Sequence, residues 1–350
     1  MRGRALKNRV ARFYDIDDLR VESEPVPAVG AGEALVRTRV CGICTGDLMG
    51  WYLKRKAPLV FGHEVVGTVE RVGEGVESVQ PGDRVFVHHH APCLSCRACR
   101  RGDFVHCAEW RTSHLVPGGM ADFFLVPRAN LERDTLRLPD SVPFEAAALI
   151  EPTACVVKSL RRAQLRGGER IFVIGLGIMG QLHVALASRF GAGEVFASDL
   201  EPWRCERALE LGADAVFDAS RENVTERLRD ATGGEMAEVV IVGPGTVPAI
   251  ESGLELAAPG GRVVLFTATR PEERLPLPVN ELYFREVSIV PSYSCGPQDT
   301  REALTLIAAG NIPVDRLITH RFPLERISEA FTAAANPRGA LKTLIVFDER

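Results

Sequence analysis

Residues 170–199 constrain the fold more than any other stretch. Arg170-Ile171-Phe172-Val173-Ile174 is a nearly continuous apolar run of strand length, and Gly175-Leu176-Gly177-Ile178-Met179-Gly180 follows it directly and opens a helical pattern over 181–190. Glycines at these spacings permit a tight turn, let backbone amides approach a pyrophosphate and let the helix pack closely on the strand. The pattern is weak alone, but with its strand before it and its helix after it, it reads as a dinucleotide site. A second strand, 194–198, ends at Asp199, 24 positions after Gly175, where a carboxylate would bond the adenosine ribose hydroxyls of NAD. An Asp there could also cap the helix expected from Pro202. Gly175, Gly177, Ile178, Met179, Gly180, Asp199, Arg204 and Gly243 are the cofactor-binding candidates, with Arg204 flanking the adenosine.

The alternation goes on. Strands at 215–217, 238–242, 262–266 and 287–290 interleave with helices at 202–211, 224–232 and 247–257, which argues an α/β fold with a doubly wound parallel sheet. The first 150 residues have another texture. Strands are expected at 6–10, 19–21, 34–40, 65–72 and 84–87, with Pro81-Gly82-Asp83 as a turn, so this half reads as all-β. From Phe144 the pattern becomes helical and continues past Pro152 to Ala163. Two late helices, 300–309 and 324–335, precede a closing strand at 340–347 that could return to the β domain. The resulting division is 1–155 with 296–350, and 156–295 between them.

Four of the nine cysteines, Cys93, Cys96, Cys99 and Cys107, fall within fifteen residues as C-x2-C-x2-C-x7-C. That density suits a thiolate-bound metal better than disulfides, and the polar and basic residues between them offer little core of their own. A closed structural zinc site follows, with an iron–sulfur cluster as the alternative. The net charge of −4 is evenly mixed and leaves no basic patch for nucleic acid. No apolar run is long enough to span a membrane, and the N-terminus lacks a signal-like stretch, so a soluble, cytoplasmic protein is expected.

Phe61-Gly62-His63-Glu64-Val65-Val66-Gly67 places a His and a Glu side by side among glycines, as a catalytic zinc site on a β domain requires. Its partners must come from elsewhere. Cys44 lies upstream in Cys41-Gly42-Ile43-Cys44-Thr45-Gly46-Asp47, and Glu151-Pro152 lies downstream.

Together, Gly62-His63-Glu64-x2-Gly67-x5-Gly73-x2-Val76, Cys41-Gly42-Ile43-Cys44-x2-Asp47, the four-cysteine lobe and the nucleotide fingerprint resemble the zinc-containing medium-chain dehydrogenase/reductase family over nearly the whole chain. The resemblance implies a GroES-like catalytic domain formed by both chain ends, a Rossmann domain between them, NAD, two zinc ions per chain and a homodimer or homotetramer. It makes Cys44, His63, Glu64 and Glu151 the catalytic zinc ligands, with Asp47 orienting them. Glu151, where other branches carry a cysteine, is similar to the sorbitol, threonine and glucose dehydrogenases. Cys41, Cys155, Cys205 and Cys295 would be structural, and His88, His89 and His90 are expected as surface histidines, with His90 near the cleft in threonine dehydrogenases. Trp51, Arg285 and Tyr293 are candidates for the substrate cleft.

One departure stands out. The family's proton-relay hydroxyl and histidine positions hold Gly46 and Met49, leaving Thr45, or water with Glu64, to carry the proton. The expected reaction is hydride transfer between NAD and a secondary alcohol, with a polyol or sugar-like substrate first and threonine second. A non-catalytic zinc or thiol sensor built on Cys41 and Cys44, and a zinc-free quinone reductase, are the rival readings. The quinone reductase would have no use for Cys44, His63 and Glu151 together.

Overall fold

The computed structural model describes residues 7–348. Strand Arg170–Ile174 lies inside a six-stranded parallel sheet, ordered Ala215–Asp218, Glu194–Asp199, Arg170–Ile174, Ala237–Val242, Ala257–Leu265, Ser288–Pro291. The chain starts at the centre and winds outward twice, so the order reverses between Arg170–Ile174 and Ala237–Val242. Both faces are covered, as an all-parallel sheet requires. Phe172 packs with Phe196 and Phe217 on one face, while Ile171 and Val173 meet Ala154, Val157 and Leu160 of helix Ile150–Ala163 on the other. The strand expected from Arg262 begins earlier, at Ala257, and helix Val279–Arg285 was not expected.

The β half is built on strand Ala34–Ile43. Its sheet runs Ile318–Pro323, Lys342–Val346, Ala34–Ile43, Glu64–Val72, Arg84–His88, Thr135–Arg137, with Phe123–Val126 paired to the other stretch of Ala34–Ile43. A smaller sheet joins Asp18–Pro25, Lys7–Asp15 and Leu59–Val60. The closing strand does return here, setting Leu344 opposite Gly42 on one side while Glu64 faces Gly42 on the other. Leu6, the first residue of an expected strand, lies outside the described residues; that strand runs Lys7–Asp15.

Helix Ile150–Ala163 is continuous through Pro152, which sits in its first turn, where an N–H has no intrahelical partner to lose. The expected division at 155/156 falls inside this helix. Among the described residues, no helix is long and apolar enough to cross a membrane.

Candidate active site and metal centres

Strand Ala34–Ile43 ends where the chain turns into the short 3-10 segment Thr45–Leu48, and Cys44 caps it. The Gly46 amide donates to Cys44 Sγ (3.3 Å), and the Cys44 amide donates to Asp47 Oδ2 (3.0 Å). Buried Asp47 also stands 3.7 Å from His63 Nδ1 through Oδ1, so one carboxylate braces both the turn and the imidazole. His63 immediately precedes strand Glu64–Val72. The ligand atoms of Cys44, His63 and Glu64 all lie within 4.8 Å of one another, a thiol, an imidazole and a carboxylate fit to hold zinc. Burial pushes the Cys44 thiol up, opposed by His63, and burial likewise raises Glu64. Burial alone would lower His63, but the Cys44 thiol and Asp47 hold it well above its ordinary value.

Sequence reasoning missed Lys342. Its ammonium pairs with Glu64 Oε2 and donates to the Ile43 carbonyl (3.1 Å), with both charged side chains 1% exposed. The pair explains Gly42: a Cβ there would stand 1.9 Å from Glu64 Oε2 and 2.8 Å from Lys342 Cε. A signal was available. Lys342 is one of five lysines beside 37 arginines (42 in all), and it is the one charged residue of a buried closing strand, Lys342–Val346.

Glu151 departs from the expected arrangement. It lies in the first turn of helix Ile150–Ala163, buried, but its carboxylate gathers with His88 and Cys295 rather than with Cys44, His63 and Glu64, and the Cys155 thiol donates to its Oε1 (3.4 Å). Helix geometry, which stacks residues four apart, turns Glu151 toward Cys155. Its charge still acts on His63 and Asp47. Thr45 is exposed, and Gly46 and Met49 offer no side-chain proton carrier.

The expected surface histidines are placed differently. His88 is fully buried, its Nδ1 2.7 Å from Asp134 Oδ2. His89 stacks between His63 (4.9 Å) and His90 (4.0 Å), and His90 lies 4.0 Å from Trp110, which meets Tyr293 at 5.9 Å. Burial holds His90 down at about 3, so it stays neutral. Trp51 packs on Tyr52 at 5.9 Å. Arg285 turns away from any cleft: it donates to the Leu254 carbonyl (3.3 Å) and pairs with Glu281, because the unpaired carbonyls ending helix Val247–Leu256 attract it.

Cys93, Cys96, Cys99 and Cys107 do converge, with Sγ separations of 3.9 Å (Cys93 to Cys99) and 3.5 Å (Cys96 to Cys99). The lobe is less coreless than its sequence suggests: Phe104, Val105 and Trp110 bury themselves against Cys99 and Cys107. Those three apolar residues lie toward its C-terminal end, among charged neighbours that mask them.

At the nucleotide turn, Gly175 adopts φ +83°, and a Cβ on Gly180 would stand 2.0 Å from the Gly175 carbonyl. Both positions therefore exclude other residues. The amides of Ile178 and Met179 begin the helix Ile178–Ala187 without intrahelical acceptors, open to an anion. Gly177 caps that helix, and the Gly243 amide donates to the Ile174 carbonyl (3.0 Å). Asp199 accepts from the amides of Leu176 (2.5 Å) and Glu201 (2.9 Å), while Arg204 stands 3.8 Å away. Asp199 therefore braces the turn after its strand but does not cap helix Pro202–Glu210, whose N-cap is Glu201 without a side-chain bond, and each of its carboxylate oxygens keeps a further lone pair.

A dinucleotide-type sheet joined to a β domain that carries a thiol, imidazole and carboxylate donor set defines a metal-containing, nucleotide-dependent oxidoreductase. Residues 30–140 match the alcohol dehydrogenase GroES-like domain family and residues 179–309 the zinc-binding dehydrogenase family. The chain is 34% identical to sorbitol dehydrogenase of Homo sapiens over 325 residues, covering 90% of this chain and 89% of that one. It is 31% identical to sorbitol dehydrogenase of Bombyx mori, covering 97% and 98%. A zinc-binding dehydrogenase from Sinorhizobium meliloti 1021 bound to NADP superposes with a TM-score of 0.87 at 27% identity, covering 97% and 99%. The chain therefore belongs to the zinc-containing medium-chain dehydrogenase/reductase family, in its sorbitol dehydrogenase branch. It is an oxidoreductase acting on alcohols, with zinc and a nicotinamide cofactor, in the GroES-like plus Rossmann architecture that the motifs implied.

Proposed function

We propose that the enzyme oxidises a secondary alcohol of a polyol with NAD, at a zinc held by Cys44, His63 and Glu64, and that a second zinc is held by the four-cysteine lobe. The observation that carries this reading is the convergence of those three donors, braced by Asp47, in a chain whose nucleotide turn ends its next strand on Asp199. Zinc, when bound, supplies a Lewis acid that eases loss of the alcohol proton, and the nicotinamide accepts the hydride.

The chain's own residues do the rest. Gly46 and Asp47 fix the Cys44 turn, and Lys342 holds Glu64 where its carboxylate would face a zinc held with Cys44 and His63 and could take the substrate proton. Asp199 disfavours a 2′-phosphate and so favours NAD, while Arg204 softens that preference. His90, Trp51 and Tyr293 supply polar edges and flat apolar faces suited to a hydroxylated carbon chain. The named sorbitol dehydrogenase relatives support a polyol.

The division into 1–155 with 296–350, and 156–295, is supported by strand Lys342–Val346 lying in the β-domain sheet. A homodimer or homotetramer is supported by exposed Leu277, Val279, Tyr283 and Phe284 beside the edge strand Ser288–Pro291. A cytoplasmic location is supported by nine cysteines of which none is in a disulfide. A panel of polyols, aldoses, cyclitols and threonine with NAD, followed by absorbance of the reduced cofactor, tests the substrate. The reading expects the highest kcat/KM with a polyol; a clear preference for threonine would overturn it.

A further inference from the structure

From the metal donors a row of flat rings leads to a group of cations that hydride transfer does not use. His63 faces His89 at 4.9 Å, His89 faces His90 at 4.0 Å, His90 faces Trp110 at 4.0 Å, and Trp110 meets Tyr293 at 5.9 Å. Tyr293 lies close enough to Tyr52 and to Arg111 for both to act on its hydroxyl. At the end stands Lys56, whose Nζ donates to the Tyr52 hydroxyl (2.9 Å) and lies 4.1 Å from the centre of that ring. We propose that the polyol oxidised here is an acidic one, carrying a carboxylate or a phosphate at the end remote from the reacting carbon, and that Lys56 holds this anionic end in the field of Arg55 and Arg111. The inference rests on the polyol reading above and extends it to the far end of the substrate.

The charges at this end of the row are unanswered within the protein. No carboxylate among the described residues pairs with Lys56, Arg55 or Arg111, although Lys54 beside them is paired with Asp15 (2.6 Å). Arg55 lies over the Trp51 ring (5.5 Å), and Arg111 directs its donors to the Val105 carbonyl (3.1 Å) and His106 Nδ1 (3.3 Å). An ammonium has three donors, and the bond to Tyr52 leaves Lys56 two for an oxyanion. Its charge also reaches inward, since it acts on both His89 and His90, so a ligand lying along the row feels it. Midway, buried Trp110 Nε1 has no hydrogen-bond partner among the described residues, which leaves a donor for a substrate hydroxyl. The hydroxyl end of a neutral alditol would leave the cations as they are. An anionic end would pair with them, and even an ion pair open to solvent is worth up to about fivefold in binding.

The test uses the full chain loaded with zinc and NAD, and compares short alditols with the aldonates and the terminal phosphates of the same carbon chains. At least one acid should exceed its neutral counterpart by about fivefold or more in kcat/KM. Lys56→Met, or about 0.5 M sodium chloride, should bring that ratio toward one, while Lys56→Arg should keep most of it. Quenching of tryptophan fluorescence by the same compounds gives the comparison without turnover. Preference for the aldonates identifies the anion as a carboxylate, and preference for the phosphate esters identifies it as a phosphate. Neutral alditols equal to or better than their acids, or an acid advantage undiminished in Lys56→Met, would overturn the inference and leave the polyol reading standing. Oxidation of threonine with neither turnover nor binding of any polyol, neutral or acidic, would overturn both.

Discussion

Replacing Lys342 by Met isolates the part of the active site that the motifs did not reveal. Lys342 and Glu64 are each 1% exposed and face one another, so the variant leaves a buried carboxylate without its cation in the metal-free protein. Removing one partner of a buried pair typically costs 3–5 kcal/mol, because the remaining charge cannot regain its hydration, and the bond to the Ile43 carbonyl is lost as well. At about 2.1 cal/mol/K per residue over 350 residues, that cost lowers the unfolding midpoint by roughly 4–7 °C. Two controls sharpen the reading. The double variant Lys342→Met/Glu64→Gln should recover most of the loss, since neither charge of the pair remains. Saturating zinc should also restore much of Lys342→Met, because a cation again faces Glu64 and binds only the folded chain. The assay is thermal unfolding of metal-free and zinc-loaded protein. A metal-free single variant within about 1 °C of wild type would refute the argument that the pair is energetically coupled.

Wild type should prefer NAD over NADP by at least about tenfold in kcat/KM, equivalent to about 1.4 kcal/mol, and Asp199→Ala should narrow the gap; equal or better efficiency with NADP refutes this. Cys99→Ser should lose one metal equivalent and unfold at lower temperature before it loses chemistry, although the small core of Phe104, Val105 and Trp110 should keep the lobe partly ordered; full stability with unchanged metal content counts against a structural site. His183 receives the Ser159 hydroxyl at Nε2 (3.0 Å) and donates from Nδ1 to the Met179 carbonyl (2.8 Å), and burial lowers it to about 4 from the ordinary histidine value of about 6.5. The unfolded chain therefore binds the proton first, so stability present above about pH 6.5 should fall by roughly 3 kcal/mol as pH drops to about 4. His183→Gln should flatten this slope in chemical denaturation, and an equal slope in both proteins would refute it.

The nucleotide half was legible because its signals are local. A strand, three glycines and a helix in immediate succession leave little choice, and Asp199 follows at the end of the next strand. Cys44, His63 and Glu64 were legible by motif, and the four cysteines by spacing. What stayed hidden depends on distant pairing. Lys342 meets Glu64 only because the closing strand adds to Ala34–Ile43, a pairing across some three hundred positions. Glu151 was assigned to the catalytic set by resemblance, but its orientation follows from which residues the helix and Cys295 bring alongside it. The histidine run looked solvated because three consecutive polar rings end a strand beside a polar metal lobe, while Asp134, Trp110 and Cys295 come from elsewhere to bury it. Arg285 was drawn from the cleft by helix-end carbonyls that no local pattern announces.

We assign alcohol oxidation to a metal held by Cys44, His63 and Glu64. The most direct measurement is steady-state reduction of NAD by a polyol, with metal content determined on the same samples, for wild type, Glu64→Gln and Cys44→Ser. Wild type should turn over. Glu64→Gln should keep most of its zinc yet lose turnover, because the amide oxygen can still coordinate but cannot take a proton. Cys44→Ser should lose at least about a hundredfold with its catalytic metal. Normal turnover in Glu64→Gln across the pH range, with loss in Thr45→Val, would move the proton path to Thr45; undiminished turnover in Cys44→Ser would contradict the account itself.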